Sequence, residues 1–568
     1  MNTLLIEPLK YFDDARQRHN GSVTERFESL VNQSGIDVEA NRDTAAKYRA
    51  KLGEIDVISA KIRKYEIIFW LLITAAAAFV IASIALAPDS STDIGIKTTV
   101  VILAVISVIT VIMVNVKILR PRIKSAENVK ANLISQSEEI LAVANEQMAP
   151  LNALFDPADT RRLIEKTMPE LDFYECYTPE HERLLTEEYD YIDLTDDDTS
   201  VTDTLSGRLL GNPFLYERYI EHTLRNETYS GSITIHWTTT SRDSKGNSRT
   251  EHHTQVLTAT VTKPKPFYTV STHLGYGCEA APNLSFSRNE SDTDELSEGA
   301  LARRIKRGAK KLQRRAEKSA SRGDNFQEMA NTEFEVLFGA QNRNHEVQFR
   351  LMYTPLAQTN TVDLLRSKIG YGDDFNFIKQ GKYNIIKSVH AQDFKMQTDV
   401  SLFKSYDVDI ARNAFISYNN EYFKSVFFDL APLLAIPAYH EHRELGEDNE
   451  DKKDFASNFT QYEHEVLANA VGARKFAHPD TATDTILKTK FIKKDGIKDR
   501  VLVSAYSYRT VPRTEVITMY GRDGKFHNVP VHWTEYIPLL ATREMTLSKA
   551  EAPCGDAYVH GISATICN

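Results

Sequence analysis

The stretch Ser230–Thr240, SGSITIHWTTT, and its sequel Thr250–Thr262, TEHHTQVLTATVT, decide the fold of the larger part of the chain. Apolar residues alternate with Thr, Ser and His at a period of two. Successive side chains of a strand point to opposite faces, so this alternation marks two half-buried strands. Lys245-Gly246-Asn247 stands between them as a turn, which makes a long hairpin with a polar tip that projects. Further strand pairs are expected on either side. Phe334–Phe338 and Glu346–Met352 flank Gln341–Asn344, and Phe375–Ile378 and Tyr383–Ile386 flank Gln380-Gly381. Ile492 and Val501–Tyr508 surround Lys494-Asp495-Gly496, and Thr514–Tyr520 and Phe526–Trp533 flank residues 521–524. Helical spacing interleaves at Leu205–Leu224, Leu301–Ala320, Ile410–Tyr422 and Gln461–Val471. The region 186–568 therefore reads as α+β, one or two domains of mainly antiparallel sheets with interleaved helices. No period of 20–50 residues repeats.

With 568 residues, the chain can bury a large core or divide into several domains. A 26% charged and 10% aromatic composition excludes collagenous, wholly disordered and coiled-coil classes. The net charge of -10 argues against a dedicated nucleic-acid coat. Four cysteines, Cys176, Cys278, Cys554 and Cys567, exclude a disulfide scaffold, and their spacing fits no zinc site.

A mean hydropathy of -0.37 excludes a polytopic transporter but hides two local runs. Ile67–Ala87 (IIFWLLITAAAAFVIASIALA) and Thr98–Val116 (TTVVILAVISVITVIMVNV) carry no charge. Their lengths match the hydrocarbon core of a bilayer, and the short link Pro88–Lys97 predicts a transmembrane helical hairpin. Eleven cations flank the runs (Lys47, Arg49, Lys51, Lys61, Arg63, Lys64, Lys117, Arg120, Arg122, Lys124 and Lys130), against Lys97 alone in the link. This asymmetry predicts an inner-membrane protein with two spans and both termini cytoplasmic. Asn115 is the strongly polar side chain of the second run, where a bond across the hairpin and hydration near the interface are the two readings. Residues 1–66 read as N-terminal helices, with Ser22-Val23-Thr24-Glu25 in capping-box form. Residues 117–185 read as stalk helices, the first packing antiparallel against the helix that enters the first run.

These three parts, with FESLVNQSGIDVEANRDTAAKYRAK (Phe27–Lys51), TEFEVLFGAQNRNHEVQFRLMYTPLAQ (Thr332–Gln358), FNFIKQGKYNII (Phe375–Ile386) and YEHEVLANA (Tyr462–Ala470), resemble an uncharacterised bacterial family of two-span membrane proteins. The resemblance implies a cytosolic α+β domain of unknown function and supplies no active-site residue.

One segment carries a functional signal. LARRIKRGAKKLQRRAEKSASR (Leu301–Arg322) holds ten cations: Arg303, Arg304, Lys306, Arg307, Lys310, Lys311, Arg314, Arg315, Lys318 and Arg322. Glu317 is its one acid, and Leu301, Ile305, Ala309, Leu312 and Ala316 form a narrow apolar stripe. Anionic lipid headgroups of the inner leaflet, each cation contributing about 1 kcal/mol, are the expected counterpart. Nucleic-acid phosphates and the chain's own acidic stretches, Glu187–Asp203 and Glu444–Asp454, are the alternatives. His440, His442, His464 and Glu465 are the candidates for a His/carboxylate metal site if their segments meet. His236, His252 and His253 sit in the strand pair, where they face across it. No phosphate loop, nucleophile elbow, dinucleotide fingerprint or calcium loop is present, and no cofactor is expected. The expectation is a membrane-anchored scaffold, sensor or interaction module that docks on the anionic leaflet through the basic helix, with the lipid bilayer and other proteins as partners. A membrane-tethered metal enzyme and an oligomeric pore component are the rival readings.

Overall fold

The computed structural model describes residues 3–85, 94–242, 246, 248–323, 326–369, 371–392, 398–441, 455–550 and 554–567. The chain is α+β, with two antiparallel sheets, and divides into two units. One comprises Met1–His19, Thr160–Thr398 and Asn420–Asn568; the other comprises Asn20–Asp159 and Asp399–Asn419.

The first unit holds both sheets. The first sheet comprises β1 (Leu171–Phe173), β2 (Thr199–Leu209), β3 (Asn212–Arg242), β4 (Ser248–Gly277), β5 (Ser285–Arg288), β6 (Phe375–Gln380) and β7 (Tyr383–Ser388), in the order β1-β2-β3-β4-β7-β6-β5. The second comprises β8 (Ile486–Asp495), β9 (Lys498–Tyr520), β10 (Phe526–Lys549), β11 (Ala557–Val559) and β12 (Ile562–Ile566), in the order β11-β12-β10-β9-β8. Strands β3 and β4 stay paired from Phe214↔Tyr276 to Arg242↔Ser248, so the hairpin read from Ser230–Thr262 extends far beyond that stretch. The alternation explains the packing of this ribbon: Ile235, Leu257, Ala259 and Val261 gather with Val529 and Val531 of β10 in one buried cluster. The two ribbons touch closely at Gly231, where an added Cβ would stand 2.0 Å from the Pro530 carbonyl oxygen. Pro264 and Pro266 of β4, Pro512 of β9, and Pro530 and Pro538 of β10 lack an N–H and interrupt the outer edges of long strands. Proline and the adjacent Lys263 and Lys265 make such edges poor templates for another chain.

Between the sheets lies helix Gln461–Val471, buried along most of its length against Val201, Leu215, Leu487, Val503 and Ile562. Thr460 caps it by accepting from the Glu463 N–H.

Three expected elements differ. Phe334–Phe338 and Glu346–Met352 are short helices, not a strand pair. Asn331 accepts from the Phe334 N–H and His345 from the Gln348 N–H, so each run starts at a capping residue, and Gly339 closes the first at φ 73°. Leu205–Leu224 is strand rather than helix: Leu210 and Gly211, at φ 55° and 87°, turn β2 directly into β3. Ser22–Glu25 caps nothing, because it lies inside the helix Pro8–Ser34.

In the second unit, helices Val38–Ala85 and Arg120–Asn152 pack antiparallel, with the Asn41 Nδ2 donating to Gln147 Oε1 at 3.4 Å and Gln147 Nε2 to Thr44 Oγ1 at 3.2 Å. Asn41 also donates to the Tyr406 carbonyl and accepts from the Val408 N–H. Phe27, Phe155, Phe403 and Phe415 stack together beside these bonds.

The transmembrane hairpin is a correction. Among the described residues, no helix is long and apolar enough to cross a membrane. The described side chains of the first run are continuous over Ile67–Ala78 and follow Lys61, Arg63, Lys64 and Glu66 on the same helix. The second run lies on the helix Ile94–Val114 and passes into the π-helical turn Asn115–Leu119, which contains Lys117. Residues 86–93, most of the link, lie outside the described residues, as do some side chains of both runs. The inner-membrane placement and the orientation of the termini rested on those spans and fall with them. Asn115 is buried, and its Oδ1 has no partner among the described residues.

Candidate anion-binding face

The basic helix spans Glu298–Arg322. Ser297 accepts from the Ala300 N–H at its start, and Gly323, at φ 75°, ends it. Glu298 in the first turn and Arg322 in the last both complement the helix dipole. Leu301, Leu312 and Ser319 are buried, in line with the apolar stripe. The helix lies close on Thr332–Phe338, for a Cβ added at Gly308 would stand 2.4 Å from Val336 Cγ1. The inward face is thereby fixed, and the cations occupy the remainder.

Two of the ten cations are held. Arg304 pairs with Asp292 and donates to Ser291 Oγ at 3.2 Å. Arg315 donates to both the side chain and the carbonyl of Gln341 and lies 4.2 Å over the Phe326 ring. The other eight, Arg303, Lys306, Arg307, Lys310, Lys311, Arg314, Lys318 and Arg322, are exposed and form no ion pair with a described residue. The acidic stretch Glu187–Asp203 does not neutralise them. Glu187 pairs with Arg183 at 2.8 Å, Asp198 with His222 at 3.2 Å, and Asp193 accepts from Tyr462 at 2.6 Å. Glu444–Asp454 lies outside the described residues.

Beside the helix stands a residue that sequence reasoning passed over. The Arg343 side chain, 1% exposed, binds Glu335 at 2.7 Å, Glu346 at 2.8 Å and the Gln327 carbonyl at 2.8 Å. Burial raises the Glu335 carboxyl above its ordinary range, and Arg343 opposes that shift. The Phe326 ring contacts both guanidiniums, Arg315 at 4.2 Å and Arg343 at 4.9 Å. No periodicity announces Arg343, since it follows a turn between two seven-residue helices.

Among the described residues, the histidine candidates are not brought together as a metal centre. His440 Nε2 faces the Leu434 carbonyl at 3.1 Å, and His442 lies outside the described residues. His464 Nε2 lies 3.4 Å from Asp499 and is stacked on Phe491, while Glu465 takes Lys488 at 2.9 Å and the Val201 N–H. Among the described residues, no group of three or more His, Cys, Asp or Glu is placed to hold a metal ion. His236 and His253 bond Thr254 and Thr239 across the ribbon, at 3.0 and 2.7 Å.

Three other buried histidines do meet carboxylates, the first being His273, 3.4 Å from Glu217. His390 bonds Asp374 at 2.6 Å and lies 3.3 Å from Asp429, whose carboxyl burial pushes up to about 6. His560 bonds Glu463 and lies 3.8 Å from Asp203. No disulfide joins the cysteines among the described residues, and burial pushes the Cys176 and Cys278 thiols up to about 12 and about 11.

Compared with protein-family models, with curated proteins and with solved structures, the chain matches none.

Proposed function

We propose that this protein is a non-enzymatic interaction module that engages a polyanion through the helix Glu298–Arg322. The observation that carries the reading is the contrast along one helix. Arg304 and Arg315 are spent on protein partners, while eight exposed cations have no counter-charge among the described residues. Like charges at helical neighbour spacing oppose the helix by a few tenths of a kcal/mol per pair, and an anionic partner removes that opposition. Because the chain as a whole carries -10, the attraction is local to this face rather than a property of the molecule. Exposed pairing of this kind weakens steeply with salt.

The test is retention on an immobilised polyphosphate matrix with elution by a salt gradient. Wild type is retained and elutes late; the variant K306E/R307E/K310E/R314E elutes in the void. Equal retention of the two overturns the proposal.

A further inference from the structure

A cavity of about 740 Å³ opens at the root of the two long ribbons, and no residue of the basic helix lines it. Small-molecule sites span roughly 300–1,000 Å³. Strand β2 accompanies β3 as far as Glu221, and β8 accompanies β9 as far as Tyr506; the cavity lies just past both points. Pro266 and Tyr268 stand two residues apart on β4 and so share a face, and Tyr268 is the register partner of His222. Thr510 of β9 and Tyr536 of β10 are register partners, so their side chains share a face as well. Residues 477–485, which link helix Ala473–Phe476 to β8, supply the third wall, with Arg474 beside them.

These walls are set before any ligand arrives. The Ala482 N–H donates to the Tyr508 carbonyl at 2.9 Å, and Thr481 Oγ1 lies 2.8 Å from Ser507 Oγ. Thr483 Oγ1 gives its one proton to the Asp484 carbonyl and accepts from the Tyr508 N–H, so the Tyr268 hydroxyl, 3.1 Å away, is the donor to it. That bond and the His222 ring, 5.3 Å away, hold the Tyr268 ring in place. At the mouth Arg474, Asp484 and Thr510 are exposed and Tyr536 is half-buried, so a solute can reach all four. Arg474 and Asp484 form no ion pair with a described residue, each other included. His478 Nδ1 accepts from the Asp480 N–H at 3.1 Å, which leaves its Nε2 as a donor.

Donors (Arg474, His478), an acceptor (Asp484) and a hydroxyl that does either (Thr510) thus surround two tyrosine rings, and the formal charges cancel. A polyanion needs several cations, and Arg474 is the one guanidinium or ammonium among the described lining residues. A proline-rich peptide offers carbonyl acceptors and no N–H at its prolines, which leaves Asp484 unmatched. An apolar ligand desolvates every polar group and bonds none. A neutral sugar meets them all. Each of its hydroxyls both donates and accepts, and the C–H face of a pyranose ring fits the electron-rich face of an aromatic ring. We infer that this cavity binds a neutral saccharide, with a pyranose ring on Tyr536 and hydroxyls bonded to Asp484, Arg474 and His478. The site is independent of the polyanion reading and gives the module a second class of ligand.

Saturation-transfer NMR on the full chain tests it with cellotetraose, chitotetraose and maltotetraose, against decaproline and phosphocholine. Wild type binds at least one of the three saccharides, and the ring C–H protons receive the strongest transfer. Y536A and R474A/D484A each weaken that saccharide at least about tenfold, whereas Y536F, which keeps the stacking face, stays within about twofold of wild type. Binding of none of the three saccharides overturns the inference, and so does tighter binding of decaproline or phosphocholine. Wild-type affinity in R474A/D484A, whose two side chains are exposed and leave the fold intact, overturns it as well. The charge-reversed helix K306E/R307E/K310E/R314E keeps the saccharide, so the two readings fail separately; loss of the saccharide in that variant overturns its placement in this cavity.

Discussion

Nδ1 of His560 lies 2.9 Å from Oε2 of Glu463, and both side chains are buried. His560 sits at φ 53°, followed by Gly561 at 72°, in the turn that joins β11 to β12. The tight turn aims the imidazole inward, where Glu463 also accepts from the Tyr177 N–H and Thr204 Oγ1. Burial alone lowers the histidine's affinity for protons; Glu463 outweighs it, and the net shift is upward. For Glu463 burial pushes upward, and His560 and the hydrogen bonds outweigh it, so the carboxyl lies below its ordinary 4.5.

The sign of the pH dependence follows. The raised histidine contributes stability that is complete below pH 6.5 and is lost as pH rises through its folded value. The depressed carboxyl contributes stability that is complete above pH 4.5 and is lost as pH falls. The pair therefore stabilises most between about pH 4.5 and 6.5. H560A leaves a buried carboxylate without its cation and is expected to cost about 3–5 kcal/mol at pH 6, and less at pH 9. Urea unfolding at the two pH values measures this, and an equal loss at both contradicts it.

Arg343 predicts a second buried-charge effect. R343A strands Glu335 and Glu346 and should destabilise by about 3–5 kcal/mol. R343K keeps the charge but loses the fork that reaches two carboxylates and a carbonyl, so it should recover only part of that stability. Thermal melts of the three proteins give the order wild type, R343K, R343A.

Two glycines give opposite outcomes. G231A drives a Cβ into the Pro530 backbone and should cost about 1–3 kcal/mol, read as faster amide exchange in β3 and β10 around the contact. Gly53 lies inside helix Val38–Ala85 with nothing within 4 Å of its added Cβ, so G53A should stabilise by about 0.5–1 kcal/mol.

Thiol reactivity should separate the cysteines. Cys554 is exposed and is expected to react first with a disulfide reagent at pH 8. Cys278, buried and pushed up to about 11, should react only on unfolding. Labelling followed by peptide mapping reads the order.

What could be read from the sequence was what repeats. The alternation of Ser230–Thr262 declared the ribbon, the stripe Leu301–Ala316 declared the inward face of the basic helix, and Gln461–Val471 begins and ends where its apolar spacing does. Short apolar runs had no such period: Phe334–Phe338 and Glu346–Met352 fit strand and helix equally, and capping by Asn331 and His345 decided them. Leu205–Leu224 contains residues at helical spacing by coincidence, and the turn at Leu210-Gly211 overrode it. Length and hydropathy alone drew the two spans, and the described part of those helices does not carry them. Of the candidate site, the cations were visible; the contacts of Phe326 with Arg315 and Arg343 were not, because they form only once the helices pack.

The split composition of the second unit has a consequence for biosynthesis. Asn41 is buried and bonds the Tyr406 carbonyl and the Val408 N–H, so these two of its bonds wait until that distant segment leaves the ribosome. At 5–20 residues per second, the wait is roughly 20–70 s. During that interval the aromatic rings of Phe27 and Phe155 lack Phe403 and Phe415, so this core is completed only once translation has passed residue 419.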